Sequence, residues 1–225
     1  MTAAQPSSAS DPARVPDDDA VRDDLIRHLR LAREALVWKL EGLGEHDIRR
    51  PLVPTGSNLL GLVKHAAGVE AGYLGFVFGR PFPEKLPWME EDAPPNADMR
   101  ATAEESRADI VGLSERVGAH SEATLRALPL DAVGRVPWWP GEAGRVTVRR
   151  IAVHLVAELN RHAGHADVLR ELVDGAVGLR QDSGNLPEGD SAFWRAEHAE
   201  TARVARVAAG CPRSIDRAPR RVTRV

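Results

Sequence analysis

The chain has 225 residues, 43% hydrophobic and 28% charged, ordinary values for a globular protein with a sizeable core. Thirty Lys and Arg against 33 Asp and Glu leave a formal charge of -3, which gives no reason to expect nucleic acid or an anionic membrane as a partner. A single cysteine, Cys211, excludes an internal disulfide, a cysteine-based zinc site and a paired-cysteine redox motif, so the chemistry has to be sought among eight histidines.

In chain order, residues 1–16 are small, polar and Pro-containing, with no apolar core of a targeting peptide, and read as disordered. The longest uncharged apolar run, residues 71–79, falls far short of the roughly 20 residues a bilayer needs, so a cytoplasmic protein is expected. Only three of the thirty basic residues are lysines, and with abundant Ala, Val and Gly this bias reads as a high-GC bacterial genome. From Asp17 to Leu43, apolar residues at Val21, Leu25, Leu29, Ala32, Leu36, Leu40 and Leu43 trace one face of a long amphipathic helix. Asp17, Asp18 and Asp19 suit its start and Gly44 its stop.

A second helix is predicted from Ser57, as N-cap, to Phe78, and a third from Thr102 to Leu128 with Ile110, Leu113, Val117, Leu125 and Leu128 on its stripe. A fourth runs from Thr147 to Asp174 and stops at Gly175. A Pro-rich crossover, Gly79 to Asp98, follows helix two, and Pro129 to Val146, with Trp138 and Trp139, follows helix three. No stretch alternates like a strand, so strands are minor at best. The expected architecture is all-α: a four-helix bundle over residues 17–189 with long crossovers, a short helix over 190–208 and a disordered tail over 209–225.

Helix four carries the informative constellation. His154, Glu158 and His162 are spaced four apart and His165 follows three later, so the side chains stack along one face. Glu158 and His162 can bind one metal ion from a single helix. A third ligand must come from another helix, and His65, in the middle of the small and apolar LLGLVKHAAGVE segment, is the best candidate. Two histidines and a carboxylate with an open position suit catalytic zinc, and the same set also holds ferrous iron.

The face of His65 carries Asn58, Gly61, Gly68 and Gly72, which means either close helix packing or room left for a ligand. A solvated polar face, with Arg161, Asp167 and Arg170, is the competing reading of helix four. His154 and His165 are candidates for orienting the ligands, for alternative ligands or for surface residues. His28, His46, His120 and His198 lie on polar stretches and read as solvated.

The order of helices, LLGLVKHAAGVE in helix two and ELNRHAGHADVLREL in helix four resemble the DinB superfamily over about residues 17–189. The nearer likeness is to its actinobacterial branch, which includes mycothiol-dependent maleylpyruvate isomerase and mycothiol S-transferases. The general DinB pattern has an H-x3-H pair on helix four, and this chain has Glu158 where the first of those histidines would fall. The mycothiol-dependent isomerases use His, Glu and His, so the resemblance implies His65, Glu158 and His162 as metal ligands. It also implies a divalent ion (Zn first, Ni or Fe next) and mycothiol as thiol co-substrate.

The implied mechanism is thiol activation: a thiol coordinated to a dication loses its proton and attacks an electrophile. Release of the adduct makes a transferase; collapse after bond rotation makes an isomerase. Trp138 and Trp139 are candidates for the pocket mouth, Arg161 for contacting a carboxylate on the thiol or substrate, and Trp194 and Arg195 for covering the bundle end. Cys211 lies in the tail and is a poor nucleophile candidate. Two other functions stay open: a hydrolase or isomerase using metal-bound hydroxide, and a non-catalytic metal-binding stress protein. The expected partners are small molecules, with no nucleic acid and no membrane, for a monomer or a homodimer.

Overall fold

In the computed structural model, which describes residues 17–180 and 183–210, four long helices carry most of the chain. The first, α1 (Asp18–Trp38), starts where the Asp17 carboxylate accepts the Ala20 N–H at 2.8 Å. A short α2 (Glu45–Arg49) follows, and α3 (Leu59–Glu70) starts at Asn58 rather than at the expected Ser57. The Asn58 side chain accepts the Gly61 N–H at 2.8 Å and donates to the Met99 carbonyl at 3.1 Å. Beyond α3 the chain keeps turning as a π-helix (Ala71–Gly75) and a 3-10 turn (Phe76–Phe78), then reverses at Gly79 with φ +66°. The single helix expected to Phe78 is thus three kinds of helix in series.

The next helix, α4 (Arg107–Ala127), begins five residues later than its pattern predicts. Ser106 and Asp109 form a reciprocal capping box that fixes its start. Between α4 and α5 (Val148–Asp174) lies a two-stranded antiparallel hairpin, β1 (Val133–Arg135) with β2 (Arg145–Thr147). The start of α5 at Thr147 and its end at Gly175, φ +77°, match the expected bounds.

Helix α1 packs against α5 and α4, and α3 packs against the same two, which closes a four-helix bundle. The sequence stripe is the buried face: Leu29, Leu36, Leu60, Leu125, Leu155 and Leu159 are at most 2% exposed. Each such burial contributes about 1.5–3 kcal/mol. No described helix is long and apolar enough to cross a membrane. Residues 185–210 form a separate unit whose element, α6 (Ser191–Ala208), is capped by the Asp190 side chain. Within it Trp194 meets only Phe193 as an aromatic neighbour, with ring centres 5.0 Å apart. Residues 1–16 and 211–225, Cys211 included, lie outside the described residues.

Three local expectations are corrected. Helix α1 stops at Trp38, not Leu43, because the N–H groups of Lys39, Leu40 and Glu41 each turn to a carbonyl three residues back, and Gly42, φ +73°, reverses the chain. That tightening is tied to the fully buried Lys39 ammonium, which meets Asp167 of α5 at 2.5 Å, the Gly178 carbonyl and the Trp38 ring face. The polar residues of α5 are therefore not one solvated face. Asp167 and the buried Arg170, which holds Asp174 at 2.9 Å and the Lys39 carbonyl, belong to this cluster, whereas Arg161 is exposed. His120, expected in solvent, is half-buried, with its Nε2 2.7 Å from the Arg80 carbonyl and its ring edge-on to Phe82.

Candidate metal centre

Two helices converge on one point. Glu158 and His162, one turn apart on α5, face His65 of α3, and one ligand atom from each of the three lies within 4.8 Å of the others. The His65 and His162 rings meet edge-on with centres 4.7 Å apart, and His162 Nε2 sits 3.0 Å from Glu158 Oε1. All three residues are partly buried at the bundle surface.

The donor set fits a divalent cation. Among the described residues no Lys or Arg pairs with Glu158; its ion-pair partner is His162. Burial first, then the neighbouring His65, holds the His162 imidazole below the usual histidine range, while Glu158 pulls the other way. A neutral imidazole is the form that ligates. The His162 Nδ1 atom is buried without a protein partner.

The crossover between α3 and α4 supplies a residue that sequence reasoning passed over. Asp98, in a 3-10 turn (Ala97–Met99), lies 2.6 Å from His65 Nδ1 through its Oδ2. The carboxylate fixes His65 with its proton on Nδ1 and leaves Nε2 as the free lone pair, the arrangement by which second-row carboxylates orient ligating histidines. Nothing local in the Pro-rich segment marks Asp98, since its role depends on a partner 33 positions away.

Three anchors hold this turn against α3. Asn58 donates to the Met99 carbonyl, and the buried Lys64 ammonium bonds the Arg100 carbonyl at 3.1 Å and Glu105 at 2.8 Å. The same ammonium lies 4.0 Å from the centre of the Trp88 ring. The glycines beside His65 divide accordingly. A Cβ at Gly61 would stand 1.9 Å from the Met99 carbonyl oxygen, and one at Gly68 would crowd Trp88 and Met89, so both serve close packing of the crossover. Gly72 instead lines open space.

That space is a cavity of about 290 Å³ lined by Tyr73, Asp98, His154 and Glu158, among others. A wider cavity of about 1000 Å³ shares Gly72, Met89 and Trp138 with it. Of the remaining predicted residues, His154 is not part of the ligand triad; it lies in an aromatic cluster, 4.8 Å from the Tyr73 ring and 5.2 Å from that of Trp139. His165 is exposed, with its ring centre 5.5 Å from that of His162. Trp138 lines both cavities and Trp139 packs behind it, whereas Arg161 lines neither.

A search of curated proteins finds no match. A family model described as mycothiol-S-transferase matches residues 24–175. That span runs from α1 to the end of α5 and contains His65, Asp98, Glu158 and His162 together with the residues that frame the smaller cavity. More than half of the chain is thus matched, in the part that builds the bundle and the candidate metal centre, and the chain belongs to the mycothiol-S-transferase family.

Proposed function

We propose that the protein is a metal-dependent S-transferase that joins mycothiol to an electrophilic small molecule, with His65, Glu158 and His162 holding a divalent ion, zinc by its ligand set. The carrying observation is the convergence of two imidazoles and one carboxylate, within 4.8 Å of one another, with Glu158 at the wall of a cavity that shares Gly72, Met89 and Trp138 with a much larger one. A dication bound there lowers the pKa of a coordinating thiol, so that the thiolate is the prevailing form at neutral pH.

The protein's own groups do the rest. Asp98 holds the His65 ring in the ligating tautomer. The depressed basicity of His162 keeps that ring neutral and able to ligate. The apolar walls of the larger cavity, Phe76, Phe82 and Trp138 among them, suit an apolar electrophile. In this reading the reacting sulfur is that of the co-substrate. Trp138 at the cavity is the candidate for contacting the thiol and Trp139, which lines neither cavity, supports it through Tyr73, whereas Arg161, turned to solvent, is less suited to that role than its sequence position suggests.

Stripped protein reconstituted with Zn, Ni or Fe is expected to bind one ion per chain and to accelerate conjugation of a bimane electrophile only when mycothiol is present. His65→Ala and His162→Ala should each abolish stoichiometric binding, and retention in both rejects these ligands. A loaded protein that accelerates no thiol-dependent conjugation refutes the transferase assignment. Recovery of an isomerised product in place of the adduct would assign the isomerase reaction instead.

A further inference from the structure

The Tyr73 hydroxyl is in an unusual position for a phenol. Tyr73 stands in the middle of the π-helical turn Ala71–Gly75, a backbone irregularity that often marks functional positions. Its oxygen accepts two hydrogen bonds, from Trp138 Nε1 and from Trp139 Nε1, each at 3.1 Å. A phenol oxygen offers one O–H donor and two lone pairs. With both lone pairs engaged, its remaining capacity is to donate, and no described residue accepts from it. Tyr73 lines the 290 Å³ cavity together with Glu158, so a molecule bound there could supply the acceptor that its O–H lacks among the described residues.

The adjoining 1000 Å³ cavity states what else is bound. Phe76, Phe82, Leu86, Met89 and Trp138 give it an apolar wall. Its charged residues are Glu84, Glu90 and Glu91 against Lys85, and Glu84 is already paired with Arg116 at 2.6 Å. Such a rim disfavours anions and leaves an uncharged apolar body as the occupant that fits.

Resting on the transferase reading, we propose that the electrophile is an uncharged apolar compound in which attack by sulfur drives negative charge onto an oxygen, such as an epoxide or an α,β-unsaturated ketone, with its body in the wide cavity and its oxygen accepting a hydrogen bond from Tyr73. With an epoxide, the sulfur–carbon bond forms as the adjacent carbon–oxygen bond breaks. Both electrons of that bond pass to the oxygen, which takes up one proton, equal to the one the thiol gave up. With an enone, sulfur bonds to the β-carbon, the π-electrons move to the carbonyl oxygen, and one proton completes the thioether. No oxidant or reductant is needed. In both cases negative charge grows on the oxygen that faces Tyr73, and a preset donor there stabilises the transition state more than the ground state.

The binding test needs neither metal nor thiol. Equilibrium dialysis of the full chain with acetophenone, ethylbenzene and benzoate compares one ring carrying a neutral oxygen, no oxygen and a negative charge. Acetophenone should bind more tightly than benzoate; the reverse order overturns the proposal without any variant. Tyr73→Phe should weaken acetophenone about fivefold, the worth of one neutral hydrogen bond, and leave ethylbenzene unchanged. An unchanged acetophenone affinity overturns the role of Tyr73. Leu86→Glu, in the wide cavity's wall, should weaken acetophenone and ethylbenzene alike, and no effect on either overturns the placement of the body.

In turnover with mycothiol, Tyr73→Phe should slow conjugation of styrene oxide about 100-fold and of benzyl bromide less than about threefold, because bromide leaves without charging an oxygen. Equal losses for the two electrophiles overturn the proposal. Acetophenone binding that depends on Tyr73, with no thiol-dependent turnover of any electrophile, would refute the transferase reading and leave the oxygen-recognition site standing.

Discussion

Helix α3 contributes to two polar clusters of opposite character. Glu70, at 1% side-chain exposure, meets Arg33 at 2.6 Å; Arg33 also reaches Glu122 at 2.8 Å, and Arg30 bonds the same carboxylate at 2.8 Å. Burial pushes the Glu70 carboxyl up and Arg33 opposes that shift, so charge is answered by charge. His65, five residues earlier and about 140° around the helix, joins Glu158, His162 and Asp98, a group of carboxylates and imidazoles with no Lys or Arg as an ion-pair partner among the described residues. The first cluster closes on itself and stabilises the bundle. The second brings donor atoms of His65, Glu158 and His162 within 4.8 Å of one another with no Lys or Arg paired to them among the described residues, an arrangement that a cation would fit. Complementary charge within a cluster therefore separates a structural knot from a candidate site better than burial or the number of polar residues does.

The largest effect that would break this contrast lies in the closed cluster. Glu70→Ala leaves the mostly buried Arg33 guanidinium with Glu122 as its remaining carboxylate partner and should cost about 3 kcal/mol in urea unfolding, with metal affinity of the folded protein unchanged. A coupled loss of metal would show that the clusters are not independent. Next, Gly61→Ala drives a Cβ into the Met99 carbonyl and should cost up to about 3 kcal/mol. Because Met99 adjoins Asp98, metal affinity should fall with it, measured by competition with a chelator.

Asp98→Asn removes the charge that orients His65 and should weaken metal binding about 10–100-fold, with unfolding of the stripped protein nearly unchanged. Unaltered affinity would remove Asp98 from the site. The smallest effect is in pH. His162 titrates below its unfolded value of about 6.5, so the unfolded chain takes the proton first. The stripped protein should keep full stability above about pH 6.5 and lose it gradually below that value; the loss should be smaller in His162→Gln, read from urea midpoints.

Parts of this contrast were legible in the chain. The i, i+4 spacing of Glu158 and His162 places both on one face of any helix, and a lone histidine among small apolar residues marks His65 as the partner from elsewhere. The same reasoning could not find Asp98 or the role of Tyr73, since each depends on residues from 33 to 66 positions away. It also left the glycines beside His65 ambiguous. Packing against the crossover explains Gly61 and Gly68, and the cavity explains Gly72. The competing reading of α5, a solvated polar face, fits Arg161 but not Asp167 and Arg170, which join the cluster around the buried Lys39 because charge pairing crosses to Lys39, just past α1.

By itself the sequence determined the helices, their apolar faces and the residues able to ligate a metal, because these follow from periodicity and side-chain chemistry along a single element. Only the tertiary structure decided which polar groups neutralise one another and which are left facing open space. Charge compensation and cavity shape are properties of neighbours brought together from distant positions, and no local pattern encodes them.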